Sequence, residues 1–133
     1  MINDETIVFQ TVAAALRTAY NGIFVTGEEL SSMPPKFPAV TIVQSQNEIL
    51  TAHSTFDRLE NVAGVSYKIE VFSNLQNSHQ RFEQAREIGE LISNTMVGMA
   101  YVRTFCKPIP NADATVSRRV LRFLKTTLTT EVI

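Results

Sequence analysis

Several things are scarce in this sequence, and each scarcity removes a class of protein. There is one cysteine, Cys106, so an internal disulfide and a cysteine-built zinc cluster are both excluded. The two histidines, His53 and His79, stand far apart and form no metal-ligand spacing such as HxxxH. Glycine is sparse, at five residues, and no glycine-rich loop of the kind that cradles phosphate is present. No apolar run approaches the roughly 18 residues of a membrane span, so no membrane partner is expected. Neither sign of charge prevails. Twelve Lys and Arg against thirteen Asp and Glu leave a net charge of -1, which speaks against a dedicated DNA-binding domain. The opening "MINDETIV" has acids where a secretory signal has Lys or Arg, so folding in a reducing cytoplasm is expected.

What is present reads as one α+β domain spanning 1–133. Hydrophobic residues make up 44% and charged residues 19%, enough to build a core without covalent staples. Residues 3–20 predict an amphipathic helix capped by Asn3 or Asp4, with Val8, Val12, Ala15, Leu16 and Ala19 at helical spacing. Asn21-Gly22 supplies a left-handed stop, and "IFVT" predicts a short strand. A proline-bearing loop, "GEELSSMPPKFP", leads to a second strand, "AVTIVQSQ". Residues 47–60 are polar and read as a long flexible loop. "NVAGVSYKIEVFSN" is the clearest strand, with Val65, Tyr67, Ile69 and Val71 alternating with Ser66, Lys68, Glu70 and Phe72.

A second helix is expected from about Ser78 to Gly98. Its buried stripe is Phe82, Ala85, Ile88, Gly89, Ile92, Met96 and Met99, with Arg81, Glu83, Arg86, Glu87 and Glu90 outward. Strands at about 101–107 and 115–129 complete the order α-β-β-β-α-β-β. Short links and polar alternation predict a mostly antiparallel sheet of four to five strands, with both helices on one face.

The search for chemistry finds no catalytic constellation, cofactor site or metal site. His79 reads as a first-turn helix residue and His53 as a loop residue. Cys106 has no histidine signature beside it and reads as a small buried hydrophobe. Glu83, Glu87 and Glu90 make a solvated helix face with Arg86. Phe105 and Phe123 lie near Arg103 and Arg122, and alternation places both rings in the core. The last strand, however, is about twice the usual length. It carries Arg118 and Arg122 on one face and Arg119 and Lys125 on the other. Charge on both faces of an overlong strand suits an element that packs within an assembly. A twisted hairpin end with solvated arginines is the plainer alternative.

In the order and spacing of several segments the chain resembles the tail terminator and tail-completion proteins of long-tailed bacteriophages and prophages. The residues that carry the resemblance are "FPAVTIVQ" at 37–44, "DRLENVAGVSYKIEVFSN" at 57–74, the helix from Ala85 to Met99, and "YVRTFCKPIPNADATVSRRVLRF" at 101–123. The resemblance implies a non-enzymatic subunit that closes into a ring, a hexamer, on the head-proximal end of the tail tube in the virion, after assembly in the host cytoplasm. It implies as partners further copies of itself, the major tail tube protein and the head-tail connector proteins, with DNA only as cargo in the channel. On this reading Arg118, Arg119 and Arg122 mark a subunit interface or line that channel, with Asp57, Glu60 or Glu70 as partner acids. The Glu28 to Lys36 loop and the 47–60 loop are then contacts to the tube or neck. Two alternatives stand beside it: a head-tail neck protein of similar outline, and a small cytoplasmic nucleic-acid-binding or processing factor.

Overall fold

The computed structural model describes residues 5–28, 30, 34–49, 60–109 and 115–130, with backbone alone at 46–49, 60–63 and 126–130. The elements are α1 (Glu5–Ala19), β1 (Phe24–Thr26), β2 (Ala39–Ile49), β3 (Glu60–Ser73), α2 (Ser78–Gly98), β4 (Val102–Ile109) and β5 (Ser117–Thr130). They form a five-stranded sheet in the order β1-β2-β3-β5-β4. Among the described residues the β1–β2 pair is parallel, and β2–β3, β3–β5 and β5–β4 are antiparallel. The class and order are those expected from the sequence.

Both helices lie on one face of this sheet. The core draws Val8, Val12 and Leu16 from α1 and Ala85, Ile88, Ile92 and Met96 from α2. It seats them on Val40, Ile42, Val65, Tyr67, Ile69, Val71, Leu121 and Phe123. Each large aliphatic side chain so buried contributes about 1.5–3 kcal/mol. Tyr67 and Tyr101 meet edge to face there, with centroids 5.5 Å apart. On the opposite face a smaller cluster joins Ala39, Phe72 and Val116, flanked by Phe24 and Phe37.

The helix ends follow local chemistry. Gly22 takes φ +82 just beyond α1, where a left-handed residue costs glycine nothing. Asn77 caps α2, its side-chain oxygen accepting from the N–H groups of His79 and Gln80. At the other end Ala100 sits at φ 69. Its N–H donates to Val97 and that of Tyr101 donates to Met96. This is the Schellman closure, made with alanine where glycine is usual. Ser73 at the end of β3 donates to Gln84 of α2 at 2.5 Å, tying strand to helix.

Several expectations are corrected. β2 runs to Ile49 and β3 begins at Glu60, so 47–49 and 60 are strand rather than loop; 50–59 lie outside the described residues. Asn3 and Asp4 do as well. In α1, Ala13 is buried, whereas Ala15 is only half-buried and Ala19 exposed. Phe82 is 41% exposed rather than core. β4 accommodates Pro108 because it is the edge strand, where a missing N–H breaks no inner ladder.

Candidate functional site

The expected site is the arginine strand, and alternation along β5 separates its three guanidinium groups. Leu121 and Phe123 belong to the helix-covered face, so Arg119 shares that face. Arg118 and Arg122 point to the other face, which no helix covers.

Across that uncovered face, cross-strand register builds successive rows. Ala39, Phe72, Arg118 and Ile109 form one; Thr41, Glu70, Val120 and Lys107 the next; Val43, Lys68, Arg122 and Phe105 the third. In the middle of it Arg118 Nε donates to Glu70 at 2.6 Å, and Lys68 Nζ lies 3.1 Å from the other carboxylate oxygen. The Glu70 side chain is only 7% exposed. Burial alone would raise its carboxyl, but the hydrogen bonds from Arg118 and Lys68 outweigh that effect and hold it below the usual carboxylate range.

Arg119 is buried, at 9% exposure, beneath α2. Its guanidinium lies 5.2 Å from the centre of the Phe82 ring, and its Nη1 donates to Cys106 Sγ at 3.6 Å. The stem presses on Gly89, where a methyl group would come within 3.2 Å of Arg119 Cδ. Phe82 is therefore half outside the core because its ring covers a cation.

Arg122 is exposed, 5.9 Å from the Phe105 ring, and forms no ion pair among the described residues. It borders a surface hollow of about 560 Å³ lined by Ser45, Ser66, Thr104, Phe123 and Leu124. Phe105 was expected inside. A bulge at Thr104 shifts the β4 register by one, leaving Arg103 opposite Phe123 but moving Phe105 opposite Arg122. Arg103 accordingly reaches α2 and donates to Ser93 at 3.3 Å. Nothing in the residue types at 102–106 announces that bulge. The burial of Arg119, by contrast, was legible in its shared parity with Leu121 and Phe123.

Of the expected partner acids, Glu70 is the one whose side chain is described, and it meets Arg118. Glu60 pairs with Thr130 at the far end of β3, ten residues and about 33 Å from Glu70. Asp57 lies outside the described residues, as does His53. His79 is exposed in the first turn of α2. No group of three or more His, Cys, Asp or Glu side chains among the described residues is placed to hold a metal. Among the described residues, no helix is long and apolar enough to cross a membrane.

The second helix presents a different surface. Glu83, Glu87, Glu90, Asn94 and Val97 recur at intervals of four and three, which lines them along one side of α2. Glu83 is tied to Arg86 at 2.8 Å, whereas Glu87 and Glu90 form no ion pair among the described residues. Burial, then the Glu87 charge, push the Tyr20 phenol upward at the α1–α2 contact.

Fold and surface together define a small α+β domain with a last strand charged on both faces. No protein-family model and no curated protein sequence matches the chain. Solved structures similar to it include a chain described as "Virion of native gene transfer agent (GTA) particle". The likeness has a TM-score of 0.61 at 17% identity and covers 92% of each chain. The two chains share a fold over nearly their whole lengths.

Proposed function

We propose that this chain is a structural virion protein, a subunit that caps a phage-like tail tube as a ring, ends tube polymerisation and forms the surface that joins the head. The observation that carries the reading is the fold shared, over 92% of both chains, with a chain of a gene transfer agent virion. The finer reading, a tail terminator, is supported by the resemblance carried by 37–44, 57–74, 85–99 and 101–123. The role is mechanical, not enzymatic, and uses no cofactor. Its partners are further copies of itself in a hexamer, the tube protein below and the connector proteins above, with DNA passing through. It acts at the head-proximal end of the tail, after assembly in the host cytoplasm.

The energetics of such a ring rest on two different, complementary faces on each subunit. Arg122, exposed and without a carboxylate among the described residues, is suited to contact outside its own chain. Arg119 and Arg118 are committed internally and shape the two faces from within.

The test is deletion of the gene in its producing genome, followed by electron microscopy of the particles. Tails of uncontrolled length, unattached to heads, are expected, with the protein located at the head-proximal tail end in wild-type particles. Tails of normal length carrying heads would overturn the reading. Normal, headless tails with the protein on the portal side would instead support the neck protein.

A further inference from the structure

We infer that the uncovered face of the sheet is the docking surface for the outer side of α2 of a second copy of this chain. The inference rests on the ring reading above and specifies the contact that builds it. Within the three rows above, this face carries Lys68, Lys107, Arg118 and Arg122 against one acid, Glu70, while the register sets Glu48 and Glu60 on the same face further along β2 and β3. Beside Arg122 two apolar side chains stand in register and open to solvent, Val102 at 65% and Leu124 at 37% exposure. Along α2 the complementary order appears: the carboxylates of Glu87 and Glu90, then Asn94, then Val97 at 58% exposure.

The two runs also match in length. Arg118 to Leu124 spans about 20 Å of strand, and Glu83 to Val97 spans about 21 Å of helix. A cation-then-apolar run therefore meets an anion-then-apolar run of the same extent. Exposed valine and leucine beside a basic patch fit a protein partner better than a phosphate backbone, which offers nothing apolar in return. The helix-free sheet face and the outer side of α2 lie on opposite sides of the two-layer fold, so a single two-fold axis cannot join both pairs at once. The contact is thus head to tail, the geometry that closes rings.

Cross-linking tests the arrangement directly. On a Cys106→Ser background, Val97→Cys and Leu124→Cys are placed in one chain and treated with a short, flexible bis-maleimide at high protein concentration. A ladder of covalent dimers, trimers and higher species is expected. A mixture of the two single-cysteine chains should stop at the Val97–Leu124 dimer. R122E and E90K should each weaken the ladder about tenfold or more, and the combined R122E/E90K chain should regain it. Circular dichroism confirms that each variant is folded. No ladder above that of the single-cysteine chains, or no recovery in the charge swap, overturns the inference. So does an R122E effect confined to retention on duplex DNA, with the ladder intact. Tails that need the protein, in particles whose subunits give no Val97–Leu124 product, would sink this contact while leaving the ring reading standing.

Discussion

Replacing Arg118 by methionine keeps most of the side-chain stem and removes the charge that satisfies Glu70. The bond lost is short, 2.6 Å, and its acceptor is a carboxylate with 7% exposure. Hydrogen bonds to charged groups contribute about 1.5–3 kcal/mol. Lys68 remains at 3.1 Å, so the carboxylate is not orphaned and the expected loss is about 2 kcal/mol. For a chain of this size that lowers the thermal midpoint by about 5–10 °C. Glu70→Gln should cost less, about 1 kcal/mol, because Lys68 and Arg118 are each about a quarter exposed and water can take up their charge. If the ion pair is the cause, the double variant loses less than the sum, with a coupling of about 1 kcal/mol or more.

The pH dependence provides the sign. The folded carboxyl of Glu70 lies below its unfolded value of about 4.3. Its stabilising contribution is therefore complete above the unfolded pKa and disappears as pH falls through the folded one. In Arg118→Met, burial faces less opposition and the carboxyl rises. The gap between wild type and variant should be widest near pH 7 and narrow below about pH 4. Urea unfolding followed by circular dichroism, at protein concentrations low enough to prevent association, measures both. Additive single losses, or a gap that persists unchanged in acid, would refute the account of Glu70.

Other substitutions probe other joints of the fold. Asn77→Ala should cost about 1 kcal/mol and speed hydrogen exchange at the amides of His79 and Gln80, with Asn77→Asp close to wild type. Ala100→Gly should stabilise by about 0.5–1 kcal/mol, seen as a raised denaturation midpoint, because φ 69 is costly for alanine and free for glycine. Gly89→Leu should lose about 1–3 kcal/mol and expose Arg119 to solvent. Even a first carbon meets its stem at 3.2 Å, and the shift is readable as faster proteolysis of α2.

Much of this protein follows from its residues alone. Period-2 alternation through Val65, Tyr67, Ile69 and Val71 and helical spacing through Ala85, Ile88, Ile92 and Met96 suffice to set element types, order and the core face. Those patterns are local consequences of backbone geometry, and Asn21-Gly22 and Asn77 mark helix boundaries for the same reason. The division of Arg118 and Arg122 from Arg119 also follows from counting along one strand.

What counting could not supply depends on partners brought from far along the chain. Glu70 and Arg118 are 48 residues apart and meet only through the β3–β5 register. The bulge at Thr104 turns Phe105 outward, and no single residue specifies it because a bulge is settled by how two strands fit. Phe82 matches the buried stripe of α2 in spacing yet stands half outside, since the space beneath it is taken by a guanidinium from another element. Local sequence dictates which way a side chain leaves its own backbone. Only the assembled sheet and helices decide what it finds there: a core, an ion pair, or a face that no helix covers.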